Sequence, residues 1–168
     1  NKIFTFIFIG ILSTFSISAQ TTVDCNVGPE TENFCYTSNN TEQFDYVSSD
    51  GSPLNLVINS GNVEVNWDEF IVIDSDGTEL YNGYGNNGDL SGLSFQSSGD
   101  TMTVQVTPDG SIDCQSSTAI NPIDFTISCA TCVNPQVTFQ LVDDCVNAPQ
   151  FFVEADITDL GSATSLDI

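Results

Sequence analysis

Glu69-Phe70-Ile71-Val72-Ile73-Asp74-Ser75-Asp76-Gly77-Thr78-Glu79-Leu80-Tyr81 is the stretch that decides the fold class. A short apolar run rich in β-branched residues enters Asp76-Gly77, a dipeptide favoured in tight hairpins, and Thr78 to Tyr81 returns. The same grammar extends in both directions. Upstream, Gln43 to Val47 alternates, Asp50-Gly51-Ser52-Pro53 turns, and Leu54 to Ile58 follows. Ser60-Gly61-Asn62 turns again before a short strand expected at Val63 to Val65. Downstream, Asn82-Gly83 and Asn87-Gly88 punctuate a Gly-rich loop, and Leu90 to Phe95, Thr101 to Val106 and Ile123 to Cys129 read as further strands. Helical periodicity is hard to find beyond residue 20. Short strands at this spacing predict an all-β fold, an antiparallel β-sandwich or barrel.

Composition narrows the function. The 168 residues carry 23 Asp+Glu, one Lys+Arg and no His, a formal net charge of −22. The single basic residue is Lys2. With no cationic side chain after it, the chain lacks the phosphate contacts that nucleic-acid binding needs. Histidine catalysis and histidine metal ligation are excluded as well. A hydrophobic fraction of 40% and 12 Phe still supply enough apolar surface for a core.

Residues 1–19 read as a secretory signal peptide: Lys2, an apolar run from Ile3 to Leu12, then small and polar residues ending at Ala19. The run falls short of the roughly 18–20 residues of a transmembrane helix, so no membrane span is expected in the mature chain. Export to a secreted or cell-surface location makes disulfides the expected state of the six cysteines. Spacing alone does not fix their pairing. Cys25 to Cys35 and Cys114 to Cys129 are the expected bridges, in preference to a zinc or redox reading of Cys129-Ala-Thr-Cys132. A second unit is expected to begin near Thr131. Gln136 to Val142 and Gln150 to Ile157 read as the opening strands of another, incomplete β-sandwich, which gives a division into residues 1–19, 20–130 and 131–168. The chain as a whole reads as a fragment of a longer modular protein.

Two ordered motifs carry a family likeness. Trp67-Asp68-Glu69-Phe70 enters the apolar strand that ends at Asp76-Gly77. Ser97-Ser98-Gly99-Asp100 then leads into alternating Thr101 to Val106 and the turn Asp109-Gly110-Ser111, and Ile123-Asp124-Phe125-Thr126-Ile127 closes the set. Over about residues 25 to 130 this pattern resembles the CUB domain, an extracellular jelly-roll β-sandwich that binds proteins or glycans. Many members hold calcium at one end through acidic loop residues. By motif position the resemblance implies Asp68 and Asp109 as calcium ligands, with Glu64 as a third. The loop between Glu64 and Asp68 is shorter than the family's and lacks its cysteine. The segments after Cys132 look like the repeated immunoglobulin-like or fibronectin-III-like modules of large exported bacterial proteins.

A physical argument stands beside the resemblance. Carboxylates gathered on adjacent loops of a chain without Lys or Arg have no internal counter-charge, and an extracellular divalent cation with oxygen preference is their natural partner. Trp67, Tyr81 and Tyr84 form a candidate ligand surface beside the Gly-rich loop. A serine nucleophile would have no His or Lys as base, so the chain is expected to be non-catalytic. The expected role is extracellular recognition or adhesion, toward a protein or a glycan. The rivals are an accessory module of an exported hydrolase and a structural spacer. The charge gives a first prediction: the melting temperature rises between low and moderate NaCl as screening relieves self-repulsion. A flat or falling value would count against it.

Overall fold

The computed structural model describes residues 20–144, 150–163 and 165. The proposed signal peptide, and Cys145 with it, lie outside the described residues. Eleven strands follow one another among these residues: β1 (Thr21–Val23), β2 (Glu30–Phe34), β3 (Glu42–Ser48), β4 (Leu54–Ser60), β5 (Glu69–Asp74), β6 (Glu79–Gly83), β7 (Ser94–Gln96), β8 (Thr101–Thr107), β9 (Ile123–Cys129), β10 (Gln136–Asp144) and β11 (Gln150–Asp159). The first nine make a two-sheet sandwich, in the orders β1-β3-β8-β5-β6 and β2-β9-β4-β7. All pairings are antiparallel except β1 with β3. The fold is therefore all-β.

Alternation builds the core. Met102, Val104 and Val106 of β8 and Phe70 and Val72 of β5 face Leu54, Leu56 and Ile58 of β4 and Ile123, Phe125 and Ile127 of β9, all buried. Phe125 lies at the centre, with its ring 6.3 Å from Phe34, 5.8 Å from Phe44 and 6.1 Å from Tyr46 in edge-on arrangements.

The structure corrects several expectations. Val63 to Val65 is not a strand, because the chain is crossing from one sheet to the other there. Val63 is buried, and its N–H donates to the Gly88 carbonyl at 3.1 Å. Leu90 to Leu93 is a loop pinned against β4: Leu90 N–H reaches the Gly61 carbonyl and Gly92 N–H the Ile58 carbonyl. Only Ser94–Gln96 of that segment is strand. Short β1 and polar β2, Glu30-Thr31-Glu32-Asn33-Phe34, are edge strands that the pattern did not single out.

The disulfides exchange partners relative to expectation. Cys25 bonds Cys129 and Cys35 bonds Cys114. The reason is geometric: β2 traverses its sheet between Cys25 and Cys35, which places them at opposite ends of β9. Seven residues of strand span about 23 Å, far beyond a bridge. Each bridge instead closes one end of the sandwich.

β10 and β11 form a separate two-stranded antiparallel hairpin. Gln96 secures its approach: Nε2 donates to Asn55 Oδ1 and to the Cys132 carbonyl, both at 2.8 Å, and Oε1 accepts from Asn134 N–H at 2.7 Å. Removing the central ring should be costly. Phe125→Ala is expected to lower unfolding free energy by about 3–5 kcal/mol in chemical denaturation; a loss below about 1 kcal/mol would show that the core closes around a different residue.

Candidate metal centre

Three crossings between the sheets, residues 35–41, 61–68 and 108–122, lie at the same end of the sandwich, where β2, β4 and β8 finish and β3, β5 and β9 begin. This is where the acids meet. Glu64, Asp68 and Asp109 each present a carboxylate oxygen within 4.8 Å of the other two. Asp68 is fully buried, while Glu64 and Asp109 are half-buried.

The local backbone explains the convergence. Glu64 to Asp68 closes a turn, with Asp68 N–H donating to the Glu64 carbonyl at 3.0 Å, and Asn66 takes the left-handed conformation that Asn tolerates. Both acids of the turn are thereby carried to the start of β5. Across the sheet Glu69 pairs with Thr107, so the chain leaving β8 brings Asp109 alongside. Asp109 N–H donates to Asp68 Oδ1 at 2.9 Å, and Asp109 Oδ1 accepts from Ser111 N–H at 2.8 Å. The third loop supplies Tyr36, whose hydroxyl donates to Asp68 Oδ2 at 2.6 Å. Burial, followed by the Asp68 hydrogen bond, raises the Tyr36 phenol well above its ordinary value and keeps it a donor. Asp113 braces the same end by accepting from Ser38 N–H and Oγ, both at 2.7 Å, and from Ser116 N–H at 2.6 Å. Hydrogen bonds from Ser116 and Ser38 hold its carboxyl below the usual range.

Glu64 differs from the other two. Its Oε2 is buried with no hydrogen-bond partner among the described residues. Desolvation, then the charges of Asp109 and Asp68, raise its carboxyl above the usual range. A buried acceptor facing two more carboxylates, with no cationic side chain after Lys2, is the donor set of a hard cation. The spacing also suits calcium. Oxygens about 2.4 Å from one ion lie no more than about 4.8 Å apart. Three protein oxygens are part of the six to eight that calcium takes, the rest being water or neighbouring oxygens. A second grouping, Cys25, Cys129 and Asp50, offers no thiolate because its sulfurs are joined.

The three residues of the candidate aromatic surface differ in exposure. Trp67 is 63% exposed beside the acids and Tyr84 is 37% exposed. Tyr81 is committed to packing: its ring lies 5.2 Å from Phe95 and its hydroxyl accepts from Gly85 N–H at 2.7 Å. Tyr36 is the residue that sequence reading missed. It meets Asp68 from 32 positions away, and the pattern around it, Cys-Tyr-Thr, marks no acid partner.

No protein-family model and no curated protein sequence matches this chain. Solved structures do. The full extracellular region of zebrafish Gpr126/Adgrg6 superposes with a TM-score of 0.53 at 12% identity, covering 76% of this chain and 18% of that one. The CUB1-EGF-CUB2 domains of rat MASP-1 superpose with a TM-score of 0.51 at 13% identity, covering 79% and 47%. The fold is CUB-like. This chain spans less than half the length of either neighbour, and at such identities the likeness is one of fold.

Glu64 in the CUB-like sandwich yields a signed prediction. Because folding raises its pKa, the folded chain holds that proton more tightly than the unfolded one. Its contribution is most favourable below the ordinary glutamate range and declines as pH rises toward the raised value. Glu64→Gln in chelator is therefore expected to melt above the wild type at neutral pH and to lose part of the wild-type decline between acid and neutral pH. Identical melting curves across that range would exclude the uncompensated carboxylate.

Proposed function

We propose that this chain is a calcium-dependent, non-catalytic recognition module of a secreted or cell-surface protein, engaging an extracellular protein or glycan. The observation that carries the reading is the Glu64, Asp68 and Asp109 cluster, with one buried oxygen lacking a partner. Two disulfides support an oxidising location. The likeness in fold to the extracellular region of Gpr126/Adgrg6 and to the CUB1-EGF-CUB2 domains of MASP-1 supports the same reading. In this reading Glu64, Asp68 and Asp109 hold the ion. Calcium would neutralise the acids and fix the three loops in one arrangement, so that the surface at this end is presented pre-formed. Trp67, exposed on the turn between two of the ligands, belongs to that surface.

Within the same reading, residues 131–168 open a second sandwich of immunoglobulin-like or fibronectin-III-like type. One face of the β10–β11 hairpin is mixed, with Thr138 opposite Asp156 and Gln140 opposite Glu154 before Val142 meets Phe152. The other face is apolar, with Phe139 opposite Ala155 and Leu141 opposite Val153. Phe139 and Leu141 are each 73% exposed, the state of a sheet face built for a facing sheet.

The test is a thermal melt of the purified chain in about 5 mM CaCl₂ against excess chelator. Affinities of about 10⁻⁴–10⁻³ M, usual for extracellular modules, correspond to a rise of roughly 3–8 °C. Asp68→Asn, whose oxygen can still accept from Asp109 N–H while its amide N–H donates to the Tyr36 oxygen in a reversed bond, loses the charge and should remain folded while losing most of that rise. No calcium-dependent rise in the wild type would defeat the calcium reading.

A further inference from the structure

The end of the sandwich that holds the acids also holds a polar cleft, on the side of the other sheet. It has a volume of about 630 Å³, and its groups come from Asn33, Ser60, Asn62, Asp89, Ser91 and Asn121. The walls are locked by their own hydrogen bonds. Asn62 Nδ2 donates to the Ala119 carbonyl at 2.9 Å, and Asn62 Oδ1 accepts from Asn121 N–H at 2.6 Å. Asp89 Oδ1 accepts from Ser91 N–H at 2.9 Å, while Leu90 N–H reaches the Gly61 carbonyl at 3.1 Å. Gly61 has φ +119°, and a Cβ there would stand 2.6 Å from Ile123 Cα, so only glycine permits the floor to lie against β9.

What remains at the surface is a set of polar groups open to solvent. The Ser60 hydroxyl and the Asn121 side-chain amide have no intramolecular hydrogen bond among the described residues, while the Asp89 carboxylate is held by Ser91. Both residues are exposed, as is Asp89. The lining therefore offers an amide that donates and accepts, a hydroxyl and a carboxylate acceptor, with Pro122 as the one apolar side chain. A lipid or an aromatic ligand would find no apolar wall, and a phosphate or sulfate would meet Asp89 and a strongly negative chain. A peptide anchored by apolar side chains would find no pocket for them. Adjacent hydroxyls, each able to donate and accept, match this lining.

We propose that this cleft is a binding site for a neutral glycan. The volume falls within the roughly 300–1,000 Å³ of small-ligand sites. The inference rests on the recognition role proposed above and gives it a ligand class and a place. The cleft shares loops 61–68 and 108–122 with the acid cluster, so calcium bound at Glu64, Asp68 and Asp109 would steady two of its walls.

The experiment is binding of the purified chain to an array carrying neutral, sialylated and sulfated oligosaccharides and unmodified peptides, in millimolar CaCl₂ and in chelator. Wild type is expected to retain neutral oligosaccharides only. The Ser60→Ala/Asn121→Ala pair should weaken retention at least tenfold, and Asn121→Trp, which fills the cleft, should abolish it. Both variants should keep the wild-type calcium response in thermal melts, which shows that they fold. Retention of no neutral oligosaccharide, a preference for acidic ones or for peptides, or undiminished binding by the cleft variants would overturn the proposal. Absence of glycan binding by the wild type, with its calcium-dependent melting rise intact, would overturn the cleft and leave the calcium reading standing. Glycan binding that survives in a chain without any calcium response would do the reverse.

Discussion

A carboxylate with no water around it must be neutralised, hydrogen-bonded or paired, and Asp68 sits fully buried in a chain whose only basic side chain is Lys2. Two hydrogen bonds, from the Tyr36 hydroxyl and the Asp109 amide, are the protein's own answer. They satisfy the oxygens of Asp68 without cancelling its charge, and they recruit one group from each of the two other loops at that end. The arrangement of the loops follows from this requirement. Glu64 and Asp109 then add charge where charge is already costly, and the proposed calcium site rests on that concentration.

Topology makes the concentration possible. Chain crossings between the two sheets bring residues 35–41, 61–68 and 108–122 to a common end, and the Cys35–Cys114 bridge joins two of them covalently. Loops so constrained lose little further freedom when a ligand binds, so an ion or a glycan there would be recognised by positions already set. The opposite end, closed by Cys25–Cys129, carries the Asp74-Ser75-Asp76-Gly77 turn and no comparable gathering of acids among the described residues.

The strands that bury one face were legible in the sequence because alternation is the imprint of a half-buried sheet; β8 and β9 read directly from Met102, Val104, Val106 and from Ile123, Phe125, Ile127. β2 was not legible, since an edge strand with Phe34 as its only apolar side chain leaves no such imprint. Val63 misled because a buried side chain in a crossing loop looks like the start of a strand. Asp68 and Asp109 could be singled out from local motifs, each beside a recognisable turn or strand. Tyr36, Asn121 and the disulfide partners could not, because their roles are set by contacts between segments distant in sequence. The cleft in particular consists of Asn and Ser residues that in a sequence look like any loop.

The Cys25–Cys129 bridge also changes how the module would bear a load. Its two α-carbons are 5.3 Å apart, yet 104 positions separate them along the chain. Tension entering near Gln20 and leaving near Thr131 would run through this covalent shortcut, and strands β2 to β9 would hang from it as an unstressed loop. A chain pulled from both sides would keep its acid-lined end and its cleft in shape. The sandwich would sit in a line of tension without being part of the spring.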